Sequence, residues 1–259
     1  MYNQSTSLYL TENINKKTNL FIYDTEREAQ NVEILDTPEP LDADTCIARL
    51  PYNSLFFYGK QFRLSGITLV LDEFKRVQLM PSGTPCYYSS ALYFDRSVFC
   101  FGGSNGNHLA LSERFDFNQN CWIKLAALPK ADFKCHCIIL NGNILIAGYI
   151  SSYILRYSIE DNDFTRINYR FSDSEESNKR KILIYEERLY LIEFDGWIYE
   201  SNPRDENSWR KICNTVTRDN PSRVYWSYNK GAIYIGCRLK NDYYKFKLSE
   251  KVMIQLDKK

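Results

Sequence analysis

Short apolar runs recur along the chain at nearly even spacing. SLYL begins at Ser7, SLFFYG at Ser54, SVFCFGG at Ser97, NILIAG at Asn143, LYLIEF at Leu189 and AIYIG at Ala232. The intervals between these starts are 47, 43, 46, 46 and 43 residues. A second series repeats the period independently. Val32, Arg76, Trp122, Phe164, Trp209 and Met253 are each followed three residues later by Leu35, Leu79, Leu125, Ile167, Ile212 and Leu256. Runs this short, rich in aromatic and β-branched residues and bounded by Asn, Gly, Pro and Asp, predict strands. No stretch sustains a helical period over three turns.

Each period has room for four strands. In the third, PCYYSSALYFDR reads as the first strand, SVFCFGG as the second, ALSERFDFN as the third and CWIKLAALP as the fourth. FNQN supplies an Asn-rich hairpin turn between the last two. One four-stranded sheet cannot bury both of its faces, whereas six packed radially can, which makes an all-β, six-bladed β-propeller of residues 1–259. The repeats run over approximately 1–40, 41–84, 85–130, 131–172, 173–217 and 218–259. Only six residues precede Ser7, so the first repeat opens on a second strand and the expected total is 23 strands. Two explanations stay open: a three-stranded first blade, or a chain that is part of a longer product.

The segment "FGG", "ERFDFNQNCW", "LPKADFKCHCIILNGNILIAG" resembles the kelch repeat family. In that pattern a Gly-Gly closes the second strand, an aromatic closes the third, and a Trp opens the fourth. The gap of seven from Phe115 to Trp122 matches, as does that from Tyr157 to Phe164; Phe246 to Met253 keeps the spacing without the Trp. Repeats one and five place their aromatics, Tyr23 and Tyr199, further upstream. Elsewhere the glycine pair shrinks to one (Gly59, Gly148, Gly236) or none. Gly102, Gly103, Phe115, Trp122, Tyr157 and Trp209 are therefore read as structural. The glycines suit a strand exit that is crowded and needs a positive φ. The aromatics suit wedges between adjacent blades.

Composition narrows the class further. Lys and Arg number 33 against 32 Asp and Glu, which removes any long-range pull toward nucleic acid or an anionic membrane. The N-terminal MYNQSTSLYLTENINKK has no signal-peptide pattern, and the most apolar run, CIILNGNILIAGYI, is interrupted by Asn141, Gly142 and Asn143. Eight cysteines sit mostly in strand-like runs, where reduced Cys acts as a small hydrophobe. The expectation is a cytoplasmic or nucleocytoplasmic protein with free thiols and no membrane insertion.

Candidate chemistry is sparse. KCHC (Cys135, His136, Cys137) has ligand residue types, but strand alternation puts the two thiols on one face and the imidazole on the other. A propeller oxidase resembling galactose oxidase needs two His and two Tyr at the ring axis; here the pair would be His108 and His136. A sialic-acid-epimerase-like propeller has no supporting motif either. No catalytic, cofactor-binding or metal-binding residue is assigned, and no cofactor is implied. SDSEESNKRK (Ser172–Lys181) is expected as an exposed loop between the fourth and fifth blades, with Ser172 and Ser174 as possible phosphorylation sites among the acids.

The resemblance implies a non-catalytic module, a scaffold or adaptor, that binds another protein or peptide through propeller loops. The enzyme at the axis, a cytoskeletal structural role and a decaying repeat product are the alternatives. Loops between second and third strands should share one face with the loops that join blades. The first set offers Arg63, Asn105, His108, Tyr149, Asp195 and Arg238; the second offers Tyr88, Lys134, Lys181 and Arg223. Kelch adaptors place an Arg after the LP of the fourth strand to read acidic peptides, and LPKADFKC lacks it.

Overall fold

A computed structural model describes residues 7–14, 17–24, 29–37, 41, 44–60, 66–72, 76–151, 153–167, 180–185, 188–193, 197–202, 205–214, 224–229, 232–237, 242–250 and 252–256. Among these the protein is all-β, with strands β1 to β23 and no helix. Sheet 1 holds β1 (Ser7–Ile14), β2 (Lys17–Asp24) and β3 (Ala29–Leu35). Sheet 2 holds β4 (Cys46–Arg49), β5 (Leu55–Lys60), β6 (Gly66–Leu71) and β7 (Val77–Leu79). β8 (Ser90–Phe94), β9 (Ser97–Phe101), β10 (Ser112–Asp116) and β11 (Cys121–Lys124) make sheet 3. β12 (His136–Leu140), β13 (Asn143–Ala147), β14 (Ile154–Ser158) and β15 (Asp163–Ile167) make sheet 4. Sheet 5 is β16 (Arg180–Tyr185), β17 (Arg188–Glu193), β18 (Trp197–Asn202) and β19 (Asp205–Asn214). Sheet 6 is β20 (Val224–Asn229), β21 (Ala232–Cys237), β22 (Asp242–Lys247) and β23 (Val252–Leu256).

Every sheet is an antiparallel meander of sequence-consecutive strands. Both apolar ladders fall on equivalent strands: the first marks β1, β5, β9, β13, β17 and β21, the second strand of each repeat. Among the described residues sheet 1 has three strands and each of the other five has four. The first strand of repeat three is shorter than expected: Pro85–Ser89 belongs to the approach loop, and β8 begins at Ser90.

Sheets pack face to face in chain order, each junction filled by its own apolar cluster. Leu20 and Leu35 meet Leu55, Phe57 and Leu69 between sheets 1 and 2. Phe56 and Tyr58 meet Val98, Cys100 and Phe115 between sheets 2 and 3. Phe99 and Phe101 meet Ile144, Ile146 and Tyr157 at the next junction. Two further clusters join sheets 4 to 5 and 5 to 6. The first and last sheets approach each other through β1 and β20.

The aromatic wedges sit where the repeat pattern puts them. Phe115 lies directly opposite Trp122 in the β10–β11 pair, and Tyr157 opposite Phe164 in β14–β15. Phe115 and Tyr157 are buried, while Trp122 is half-buried. The Trp122 ring packs on Tyr58 and Phe115, with centroids at 4.9 and 5.5 Å, and its Nε1 donates to Pro81 O across the junction at 2.7 Å. Register shifts in β18–β19 account for the longer spacing in repeat five: Tyr199 faces Lys211, yet Tyr199 and Trp209 join the same cluster. In repeat one the residue opposite Val32 is Phe21 rather than Tyr23, which pairs with Gln30.

Gly102 and Gly103 have φ of 65° and 122°. A Cβ on Gly102 would lie 2.6 Å from Asp132 O, so the position demands glycine for backbone angle and for space. Asp116 holds the β10–β11 turn by accepting from Asn118 N (2.9 Å) and Gln119 N (3.1 Å), and Asn120 takes φ 51°.

Candidate functional site

One end of the central sheets gathers the residues that strands alone do not need. The loop 102–111 between β9 and β10, residues 148–151 after β13, and the approach segment 125–135 before β12 all meet at Asp132. This carboxylate is 3 % exposed. Its Oδ1 accepts from Phe133 N (2.8 Å), Tyr149 N (2.8 Å) and Ile150 N (2.9 Å), and its Oδ2 from Ser151 N (3.0 Å). Its own backbone bonds the other loop, with Gly103 N donating to Asp132 O at 2.8 Å and Asp132 N donating to Leu109 O at 3.1 Å. A Cβ on Gly148 would run into Asp132 Oδ2, which explains why one glycine of the pair persists in repeat four. Charge-assisted bonds from several N–H groups satisfy the buried charge and fix both loops.

On that support stands an aromatic patch. Phe133 is its centre. His108 stacks on the ring at 4.4 Å with planes 7° apart, and Tyr149 packs against it at 4.5 Å. Tyr88 meets Phe133 edge-on at 6.1 Å, and Lys134 Nζ lies 4.1 Å from the centre of the Tyr88 ring. His108 is exposed; Tyr88, Phe133, Lys134 and Tyr149 are half-buried. Asn105 is exposed in the same loop, its N donating to Asn107 O at 3.1 Å.

Tyr88 and Lys134 are also equivalent positions in consecutive repeats, with Asp44 one repeat earlier. Lys134 N donates to Tyr88 O at 2.6 Å, and Tyr88 N donates to Asp44 O at 3.1 Å. Tyr88 and Lys134 have φ of 58° and 50°, a conformation bulky side chains rarely hold without surrounding constraint. A backbone chain thus links the entrances of three successive inner strands.

Three of the sequence-predicted contact residues, Tyr88, His108 and Tyr149, meet the Phe133 ring, Lys134 packs over Tyr88, and Asn105 shares the loop of His108. Lys181 lies in β16 rather than in an inter-blade loop: strand pairing runs from Arg180, opposite Glu193, so Arg180 and Lys181 of SDSEESNKRK are strand. Opposite charges at that pair favour the register. Arg63, Asp195, Arg223, Arg238, Ser172 and Ser174 lie outside the described residues.

Asp132 and Phe133 were missed by sequence reasoning. The visible signal was a lone acid and a lone aromatic between LP and a strand, indistinguishable in one sequence from solvated loop. Alternation at KCHC holds: Cys135 and Cys137 pack toward sheet 3, while His136 Nδ1 accepts from Ile182 N of sheet 5 at 3.2 Å. None of the described thiols Cys46, Cys86, Cys100, Cys121, Cys135 and Cys137 is in a disulfide, and burial pushes that of Cys137 up to about 12. A second buried acid, Glu113, is structural. It accepts from the Tyr58 hydroxyl (2.6 Å), Thr84 N (3.0 Å) and Thr84 Oγ1 (2.9 Å), tying sheet 3 to sheet 2.

Among the described residues, no helix is long and apolar enough to cross a membrane. The family model for the kelch motif matches residues 85–129, which span sheet 3 and the loop that carries Gly102, Asn105 and His108. No curated protein matches the chain.

Proposed function

We propose that this chain, whose residues 85–129 form a kelch repeat, is a six-bladed propeller that binds another protein or peptide through the loop face around Phe133. The observation that carries the reading is the convergence of Tyr88, His108 and Tyr149 on the partly exposed Phe133 ring, with Lys134 over Tyr88, above loops pinned by Asp132. Aromatic side chains on a rigid support lose little conformational entropy when a partner covers them, which is why such residues dominate interface energetics. The role is non-catalytic, as scaffold or adaptor, in the cytoplasm or nucleocytoplasm, without a cofactor.

Affinity capture from the native cells tests this. Wild type should retain a partner that the folded double variant Phe133→Ala/Tyr149→Ala loses. Capture of the same partner by both proteins sinks the loop-face reading. Stoichiometric copper or zinc in the purified protein would instead turn attention to chemistry at the axis.

A further inference from the structure

The dipeptide Asn-Gly occurs twice in the chain, as Asn105-Gly106 and as Asn141-Gly142. Both pairs are exposed, and a Cβ on either glycine would meet nothing within 4 Å. Solvent access and the residue that follows the asparagine are therefore alike at the two sites. The hold of the fold on the backbone is what separates them.

Asn141-Gly142 is the tight turn between β12 and β13. Its φ angles are 49° and 75°, the doubly left-handed turn that suits a two-residue hairpin. The Leu140–Asn143 pair closes the turn, and the ladder runs on behind it to His136–Ala147. Asn143 Nδ2 also donates to Asn141 O at 3.1 Å. Asn105-Gly106 is instead the tip of the loop between β9 and β10, and behind it stands an isolated bridge between Ser104 and His108. There Asn105 N donates to Asn107 O at 3.1 Å and Leu109 N to Gly103 O at 2.9 Å. Among the described residues no hydrogen bond holds the Asn105 side-chain amide or the Gly106 N–H. A segment held by so few bonds opens at low free-energy cost.

We infer that Asn105 is a site of spontaneous deamidation, a covalent modification of the loop face, and that the β12–β13 hairpin protects Asn141 from the same reaction. Gly106 N attacks Asn105 Cγ and closes a succinimide ring. The Cγ–Nδ2 bond breaks, and the nitrogen leaves as ammonia with the proton given up by the Gly106 amide. Water then opens the ring at either carbonyl, which leaves aspartate or isoaspartate. The attack requires the asparagine backbone to turn until the next nitrogen reaches the side-chain carbon, and a following glycine permits this because it has no Cβ. The loop tip makes that turn by parting one bridge, whereas Asn141 must part the end of a ladder.

The product places a carboxylate in the loop of His108. In segments 102–111, 125–135 and 148–151 the Lys, Arg, Asp and Glu residues are Lys130, Lys134 and Asp132, and Asp132 is buried on its four N–H groups. A negative charge at position 105 thus enters a surface whose accessible charge is basic, and recognition there changes. That consequence rests on the loop face of the proposed function; the reaction does not.

Peptide mapping of the full chain by mass spectrometry, before and after incubation in mildly alkaline buffer, tests the inference, with the chain in denaturant as reference. In denaturant the two Asn-Gly sites should convert at similar rates. In the folded protein the peptide carrying Asn105 should convert at least about tenfold faster than the one carrying Asn141. Asn105→Gln, whose longer side chain disfavours the ring, should leave its peptide unconverted. Folded-state rates that differ no more than those in denaturant would overturn the inference, as would faster conversion at Asn141 or conversion that persists in Asn105→Gln. None of these readings involves a partner, so they stand or fall apart from the loop-face reading.

Discussion

Sheets 1 and 3 are built from the same repeat and hold their neighbours in different ways. In sheet 3, Phe115 and Trp122 face each other across a hairpin and press into the aromatic surface of sheet 2. In sheet 1, the corresponding wedge position carries Val32, nearly half exposed. The backbone is the same meander in both, so strand pairing does not need the wedge. What the wedge adds is attachment between sheets, because its apolar area is buried against the next unit and not against its own. A repeat can therefore lose its signature residues and keep its strands.

Breaking the comparison at its strong end should have the largest effect. Phe115→Ala removes a fully buried ring and should lower stability by about 3–5 kcal/mol, read from the shift in urea midpoint. Trp122→Ala should lie near the bottom of that range, about 3 kcal/mol, because part of the ring is already in water and its hydrogen bond to Pro81 is the remainder. Asp132→Asn should cost about 2–3 kcal/mol: the amide offers one acceptor oxygen where two now receive four N–H groups, and its NH2 is turned on a donor. Binding through the loop face should fall with it even where the fold survives. Gly102→Ala forces a side chain into a left-handed, crowded position and should cost on the order of 1–3 kcal/mol. Val32→Ala, the weak-end partner of Trp122→Ala, should fall within about 0.5 kcal/mol of wild type.

The buried thiols give a pH signature of the same packing. Burial raises the Cys137 thiol to about 12 in the fold from an ordinary 9.0. A group held neutral in this way contributes its full stabilisation below its unfolded value and loses it as pH climbs from 9.0 toward about 12. Stability should accordingly decline across that alkaline window, and Cys137→Ser should alter the slope there more than it does at neutral pH. Among the described thiols, Cys121, half-buried in the outer strand β11, should react first with a thiol reagent in the folded protein.

Much of the fold was legible because two features with the same period were written into it. The second-strand runs and the fourth-strand pairs each depend only on local alternation, which a single sequence displays directly. The glycine pair was legible for the same reason: Gly102 and Gly103 answer a local backbone requirement. The structure adds what depends on distant partners. The register shifts that bring Tyr199 and Trp209 into one cluster leave only an odd spacing in the sequence. Asp132 looks like any loop acid until the amides of Tyr149, Ile150 and Ser151 are seen to point at it. The candidate site is half legible: Tyr88, His108, Lys134 and Tyr149 read as loop residues of suitable type, but Phe133, which meets three of them, follows from long-range packing alone. Lys181 reads as loop from charge composition, which does not show the pairing of Arg180 with Glu193.

The central claim is that the protein works through its loop face, and site-specific photo-crosslinking tests it most directly. A photoreactive residue would replace His108, beside Phe133, in one protein. In another it would replace Tyr52, in the exposed β4–β5 turn at the opposite end of the strands, 82 % exposed. Irradiation in the native cells should give a discrete adduct from position 108 and none from position 52. An adduct from position 52 alone would contradict the account and move recognition to the opposite face.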